Sequence, residues 1–349
     1  MAFSILGMAE PILEKRTIMN FDDKPTGWGG APVSPPDLNE IQAASERLKH
    51  VVVRTPLLPL QSFDEATDIF LKPEILQPIG SYKLRGVYNW AASLTTEERN
   101  LGLSTVSAGN TAMALGYTAR LFGVPARSLL PDSVPTSKLE AIKRYRVEAV
   151  LLPMSELIKF IFEARWDEEP YSFLNPWADQ KMIAGSGSIG LEIFHDMPEV
   201  ETVFVPVGGG GLISGIGSAL KVLKRSLRLV GVQSEACPSL QATFNAGRPT
   251  WVDAQSTICD GTAVPFVVDE MYPLLRQVVD ETVLVSEEAV RIAIKRLALR
   301  NKLIVEGSGA LSVAAALATP HEERGKTVCI ISGGSIDSDK LMEIIALSN

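Results

Sequence analysis

A four-glycine turn is the clearest indication of a binding site in this sequence. Gly208, Gly209, Gly210 and Gly211 follow the apolar run 203–207 and precede the apolar run 212–216. The first run predicts a buried strand and the second a helix, and the glycines between them let backbone N–H groups approach an anion at the positive helix end. Neither G-x-G-x-x-G nor G-x-x-x-x-G-K-[ST] fits residues 208–217, so a nucleotide is not the first expectation. The segment predicts a phosphate site, and the alternative is a close-packed turn without a ligand.

A lysine at a predicted helix start is the second candidate for chemistry. In the segment 78–86, Ser81 is predicted as the N-cap and Lys83 lies in the first helical turn. A helix N-terminus and burial both disfavour a charged ammonium, and a neutral amine can form a Schiff base. A single lysine is more often a solvated surface charge, so the interpretation depends on the loops around it.

Several loops with glycine or small polar residues come directly after predicted strands. In open parallel sheets, ligands bind beyond the carboxyl ends of the strands. We therefore expect one pocket to be lined by the loops 107–111, 208–211, 233–239 and 332–335.

Alternating strands and helices position these loops. Asp37 and Glu40 form a capping-box pattern that begins a first helix. Strands are predicted at 103–107, 126–130, 147–152, 202–207, 227–233 and 328–332, and helices at 111–122, 137–146, 212–223 and 287–299. This order predicts an α/β fold with parallel sheets. Residues 155–180 lack a clear period and are predicted to join two such units, while residues 20–36 are predicted to be an arm or linker, with the folded body beginning near Asp37.

Composition excludes several classes of function. The 349 residues include 33 Lys and Arg against 41 Asp and Glu, and this net charge of -8 argues against nucleic acid or an anionic membrane as partner. No segment is long enough to span a bilayer. The three cysteines lie far apart without a C-x-x-C pair, which favours a reducing, cytoplasmic setting. The three histidines have neither metal-ligand nor triad spacing, so we expect no metal centre.

Taken together, these motifs show that the chain resembles the pyridoxal-phosphate enzymes of the tryptophan-synthase β-subunit type, fold type II. Within them it is similar to the serine/threonine dehydratases and serine racemases. The resemblance runs from Leu38 to Leu341, and its landmarks in chain order are GSYKLRG, SAGNTAMALGYTARLFGVPA, IAGSGSIGLEI, VPVGGGGLISG, GVQSEACPSL, CDGTAV, VEGSGA and ISGGSID.

The resemblance implies an α/β architecture with two domains, each with a mostly parallel sheet flanked by helices. Residues 37–95 and 180–349 would form the large cofactor-binding domain, residues 96–179 the small domain, and residues 1–36 an N-terminal arm. It also implies a homodimer or homotetramer that acts on a small-molecule amino acid.

The family roles can be carried over onto matching positions. Lys83 would hold pyridoxal phosphate through a Schiff base and then remove the Cα proton. Gly208, Gly209, Gly210 and Gly211 with Leu212 would bind the phosphate, Asn110 the ring hydroxyl, and Ser332 the pyridine nitrogen. The segment 260–263 would lie near the other ring face. The substrate carboxylate would be received by Ser81, Ser107, Gly109, Asn110 and Thr111.

Two positions favour β-elimination over the other reactions of the family. A serine at position 332 leaves the pyridine nitrogen largely unprotonated, so charge at Cα is less delocalised and the β-hydroxyl is expelled. Serine racemases carry a serine where this chain has Ala108, and alanine has no proton to give. The prediction is an ammonia-lyase that releases a 2-oxo acid and ammonia from L-serine, L-threonine or a related β-hydroxy amino acid. The alternatives are a β-replacement enzyme, a racemase, and a cofactor-binding protein without turnover.

The chain also departs from the family pattern. Many dehydratases have histidine and glutamine where this chain has Thr111 and Met113, and glutamine where it has Ser186, so a different substrate side chain is an open alternative. Relatives often bind a cation near the segment 233–239 with an acidic side chain, but here that residue is Gln233, with Ser239 further on. Divalent ions prefer carboxylate ligands, so we expect no divalent site, and a monovalent ion held by carbonyl groups stays an alternative.

Overall fold

The computed structural model describes residues 25–61 and 68–346. Residues 1–24 of the predicted arm, which spans residues 1–36, lie outside this part of the chain. The helices are α1 Leu38–Leu48, α2 Lys83–Ser93, α3 Thr96–Asn100, α4 Asn110–Phe122, α5 Thr136–Arg144, α6 Met154–Phe162, α7 Gln180–Asp196, α8 Gly211–Leu223, α9 Ser239–Ala246, α10 Tyr272–Val278, α11 Glu287–Arg296, α12 Gly307–Ala318, α13 His321–Arg324 and α14 Ser338–Ala346. The strands are β1 Leu58–Pro59, β2 Ile69–Pro73, β3 Leu103–Val106, β4 Ala126–Pro131, β5 Val147–Leu152, β6 Ser172–Leu174, β7 Thr202–Pro206, β8 Arg228–Ser234, β9 Glu281–Val285 and β10 Thr327–Ile331.

These strands form two sheets, as an α/β chain with parallel sheets requires. The larger sheet has the order β1-β2-β10-β7-β8-β9, and its pairs are parallel except for the antiparallel pair of β1 and β2. The smaller sheet has the order β5-β4-β3-β6 and is parallel throughout. The carboxyl ends of neighbouring strands therefore meet at one edge in each sheet.

The larger sheet is covered on both faces, which explains why its central strands β7 and β10 are apolar at every position after an initial threonine. Every residue of β7 and β10 is buried. Successive side chains of a strand point to opposite faces, and Val203 and Val205 accordingly pack into one core while Phe204 packs into another. A continuous apolar run is thus the expected pattern for such a strand.

The elements predicted from sequence are found within three residues of their predicted bounds. Asp37 and Glu40 form the expected capping box at the start of α1. The sequence did not indicate the elements β1, β2, β6, β9, α3, α6, α7, α9, α10, α12, α13 and α14, because these segments are short, mixed in polarity or rich in glycine. The segment 155–180, which lacked a clear period, contains most of α6 and all of β6.

Residues 25–36 have no helix or strand, as predicted, but the folded body does not begin at Asp37. Val33 N donates a hydrogen bond to Glu270 O at 2.8 Å, and Trp28 and Val33 pack against the core of the larger sheet. Trp28 Nε1 also donates to Ile161 O in α6 at 2.6 Å. The predicted start near Asp37 depends on where a helix or strand period begins. Such a period does not detect anchoring by single residues such as Trp28 and Val33. No described helix is long and apolar enough to cross a membrane.

Candidate functional site

One large cavity of about 1220 Å³ collects loops from both sheets. The helices α2, α4, α8 and α12 all begin at its wall, with Lys83, Asn110, Gly211 and Gly307 as their first residues. Because a helix N-terminus carries partial positive charge and free N–H groups, this arrangement favours a ligand with more than one anionic group.

Lys83 is placed at the cavity wall by backbone contacts of the two residues before the helix start. Tyr82 N donates to Ser332 O at 3.0 Å, and Ser81 pairs with Gly333 in an isolated antiparallel bridge. The N-cap is Tyr82 and not Ser81, so the predicted capping role is wrong. Ser81 pairs with the segment after β10, which takes it away from the helix end. Its Oγ is fully buried without a hydrogen-bond partner and is not part of the cavity wall.

A buried ionic network anchors the opposite side of α2. The Arg85 guanidinium donates to both carboxylate oxygens of Glu74, at 2.7 and 2.9 Å, and to both of Glu192, at 2.7 and 3.0 Å. Lys72 Nζ donates to Glu192 Oε2 at 2.6 Å. Burial alone would raise the pKa of Glu74, but the charge of Arg85 outweighs burial and holds that pKa below its usual range. Separating these buried charges would cost free energy, so the network holds the helix α2 against β2 and α7.

The four-glycine turn has the properties of a phosphate-binding loop. Among the described residues, no acceptor forms a hydrogen bond with the N–H groups of Gly208 to Gly211. Gly210 has a φ of +93°, and a Cβ there would lie 2.9 Å from the Leu275 side chain. A Cβ at Gly208 would lie 3.1 Å from Thr262 Cα. Close packing thus explains two of the glycines, while the free N–H groups at the start of α8 are what an anion needs.

The start of α4 forms a second potential anion site. Ser107, Gly109, Asn110 and Thr111 all line the cavity. The Gly109 N–H donates to Ser107 Oγ at 3.2 Å, so it is engaged within the loop. Ser128 Oγ donates to Ser107 O at 2.7 Å and accepts from Ser107 N at 3.0 Å, which holds the loop against β4.

Glu306 is a site residue that the sequence reasoning did not single out. Asn110 Nδ2 donates to Glu306 Oε1 at 3.1 Å, and Ser335 N donates to Glu306 Oε2 at 3.1 Å. Ser335 Oγ donates to Asn110 Oδ1 at 3.0 Å. Burial raises the pKa of Glu306 to about 7, and the negative charge of Asp260 adds to the rise. The signal in the sequence is that Glu306 is the single acidic residue of the family landmark VEGSGA.

The other predicted positions are distributed around the same wall. Ser332 and Leu212 line the cavity, as do the positions that depart from the family pattern, Thr111, Met113 and Ser186. Asp260 also lines the cavity and accepts a hydrogen bond from Lys138 Nζ at 3.1 Å, so an exposed ion pair joins α5 to the segment 260–263. The segment 233–239 does not line the cavity, contrary to expectation, because Gln233 is folded in behind the glycine turn with 1% exposure.

These residues fit pyridoxal phosphate. The chain offers unengaged backbone N–H groups for a phosphate, a lysine amine at the cavity wall for the aldehyde, and hydroxyl and amide side chains for the ring. Within the described parts of the chain, no group of three or more His, Cys, Asp and Glu side chains is arranged to hold a metal ion.

Comparison with known proteins agrees with this fit. The family model described as "Pyridoxal-phosphate dependent enzyme" matches residues 48–334. An L-threonine ammonia-lyase of Thermotoga maritima is 40% identical over 313 residues, which cover 88% of this chain and 78% of the relative. The catabolic L-threonine dehydratase TdcB of Escherichia coli K12 is 36% identical over 324 residues, covering 89% of this chain and 96% of the relative. The structure of maize serine racemase has a TM-score of 0.82 and 31% identity, covering 89% of this chain and 97% of that one.

Proposed function

The chain belongs to the family of pyridoxal-phosphate-dependent enzymes, and from that premise we propose that it is an ammonia-lyase acting on L-threonine, L-serine or a related β-hydroxy amino acid. The observation that carries this proposal is the convergence of Lys83, the free N–H groups of the glycine turn and the start of α4 on one cavity. The named activities of the most similar relatives support it.

The cofactor, when bound, supplies an electron sink for the bonds to the amino-acid Cα. Gly208 to Gly211 and Leu212 would hold its phosphate, Asn110 its ring hydroxyl, and Ser332 its ring nitrogen. The N–H groups at the start of α4, with Ser107 and Thr111, would bind the substrate carboxylate. Ser81 is left out of these contacts because it is buried behind the cavity wall.

Lys83 would carry the proton in this reaction. Its amine would take the proton from Cα, and loss of the β-hydroxyl as water leaves the carbon skeleton that yields a 2-oxo acid and ammonia. Position 108, which also lines the cavity, is an alanine, whose side chain cannot return a proton to Cα. This favours elimination over racemisation.

We further propose that the two sheets belong to two domains, residues 37–95 with 180–349 and residues 96–179. The proposal of a cytoplasmic protein is supported by the three cysteines, which are all free and buried. The homodimer or homotetramer implied by the resemblance stays a prediction.

The function is tested with a panel of β-hydroxy amino acids in both configurations, scored for 2-oxo acid release and for the opposite enantiomer. We expect 2-oxo acid from at least one L-isomer, without a requirement for sulfide or a thiol. Formation of the opposite enantiomer should not exceed the amount formed by Lys83→Ala. Formation of the D-isomer without 2-oxo acid would identify a racemase, and turnover only with an added nucleophile would identify a β-replacement enzyme. Ala108→Ser is the matched variant that should gain racemisation.

A further inference from the structure

The side chain of Gln233 uses all of its hydrogen-bonding groups in the protein interior. It lies near the end of β8 and is 1% exposed. Its Oε1 accepts from Leu240 N at 2.9 Å and from Gln241 N at 3.2 Å, both in the first turn of α9. Its Nε2 donates to Ser239 Oγ at 3.2 Å and to Val207 O at 3.3 Å. The two N–H partners identify the oxygen of the Gln233 amide, and the two oxygen partners identify its nitrogen.

The contact with Val207 places this amide directly behind the phosphate-binding turn. Val207 is the residue before Gly208, and its N–H donates to Val232 O at 2.9 Å. The backbone of Val207 is thus held on its N–H side by Val232 and on its carbonyl side by Gln233. Because both contacts come from β8, the direction in which the chain enters the glycine turn is set by β8.

An acidic residue at this position would behave differently. A carboxylate would still accept from the N–H groups of Leu240 and Gln241, and the Ser239 hydroxyl could turn to donate to its second oxygen, but that oxygen would face Val207 O with no hydrogen between them. Opposed buried oxygens are unfavourable. The same three oxygens are, however, the kind of ligand set that a hard cation such as Ca²⁺ takes.

We propose that Gln233 is a positioning residue for the phosphate-binding turn: its NH₂ group makes, within the chain, the contact to Val207 O that a carboxylate would need a bound cation to make. The protein then holds its glycine turn in the binding geometry without a metal ion, and Gln233→Glu makes cofactor binding depend on a divalent cation. This rests on the cofactor of the family and not on the proposed reaction.

The test measures pyridoxal-phosphate affinity and Tm on cofactor-stripped full-length protein, once in chelator and once in CaCl₂. Affinity is followed by the visible absorbance of bound cofactor. The proteins compared are the wild type, Gln233→Glu, Gln233→Met and the control Gln277→Glu, which makes the same change of charge at an exposed position of α10. Because buried partners lose their hydrogen bonds, we expect both variants at position 233 to bind the cofactor about tenfold more weakly in chelator.

The response to calcium distinguishes a positioning role of Gln233 from a general loss of stability. It should restore the affinity and Tm of Gln233→Glu, leave Gln233→Met weak, and change neither the wild type nor Gln277→Glu. The proposal is overturned if Gln233→Glu binds the cofactor like wild type in chelator, if calcium fails to restore folded Gln233→Glu, or if calcium strengthens cofactor binding by the wild type. Should Gln233→Glu not fold in either condition, Gln233→Met decides, and wild-type affinity in that variant overturns the proposal.

Discussion

The Nδ2 group of Asn110 lies 3.1 Å from Oε1 of Glu306, and this hydrogen bond joins the first residue of α4 to the residue before α12 across the cavity. The two residues are far apart in sequence and belong to helices beside different sheets. Asn110 is the side chain proposed to contact the cofactor ring hydroxyl, so a buried carboxyl group sets its orientation.

The pH dependence of stability should report on Glu306. Its pKa in the folded protein is about 7, raised from 4.5 mainly by burial, so the folded state holds this proton more tightly than the unfolded state. The stability gained from the proton is complete below the unfolded pKa and is lost as pH rises through the folded one. Between pH 5 and pH 8 the cofactor-free wild type should lose about 2–3 kcal/mol relative to Glu306→Gln. Urea unfolding at the two pH values measures this, and equal losses in both proteins would contradict the assignment.

Substitution of Lys83 should abolish cofactor attachment without unfolding the protein. Lys83→Ala should lack the visible absorbance of the lysine Schiff base and release 2-oxo acid about 10³-fold more slowly, since both the covalent link and the base are lost. Lys181→Ala, at an exposed position of α7, is the control and should keep both. Retention of the absorbance in Lys83→Ala would show that another amine holds the cofactor.

Two adjacent glycines of the turn, Gly210 and Gly211, should respond differently to an added methyl group. Gly210→Ala should lose about 1–3 kcal/mol of stability, because Gly210 has a φ of +93° and the Cβ would meet Leu275. A Cβ at Gly211 would have no neighbouring protein atom within 4 Å, so Gly211→Ala should not lower the Tm of cofactor-free protein. If the turn also binds phosphate, both variants should bind pyridoxal phosphate more weakly. Wild-type affinity in Gly211→Ala would indicate a purely structural turn there.

Removal of Arg85 should be costly because it leaves two buried carboxylates without their shared partner. Arg85→Met should lower the free energy of unfolding by about 3–5 kcal/mol. The comparison is Arg165→Met, which breaks the exposed pair with Glu168 and should leave the free energy of unfolding nearly unchanged, because solvent screens this pair. Denaturant unfolding of both variants checks this, and a similar small cost in the two would mean that the network relaxes around the methionine.

The segment before α1 should contribute to stability through Trp28. Its ring lies 5.9 Å from that of Trp166 and 6.1 Å from that of Trp177, and its Nε1 donates to Ile161 O. Trp28→Ala should cost about 1–3 kcal/mol, and Trp28→Phe, which keeps most of the packing, about 1 kcal/mol. An unchanged Tm in Trp28→Ala would show that the segment is not docked in solution.

Local patterns predicted the central strands and the helices of the site, together with an anion site, and the family resemblance implied the cofactor. The capping box of Asp37 and Glu40, the apolar runs of β7 and β10 and the glycines before α8 each express a short-range requirement, so they could be identified from neighbouring residues. The order of the motifs then indicated the family.

Tertiary structure alone decided which polar groups meet. The pairing of Asn110 with Glu306, the burial of Ser81 beside Gly333, the docking of Trp28 and the position of Gln233 behind Val207 all join segments that are not neighbours in sequence. Such contacts depend on strand order and on how helices close over the sheets, and no local period encodes either. The sequence therefore indicated where an anion binds, while only the packed structure showed what holds the binding groups in place.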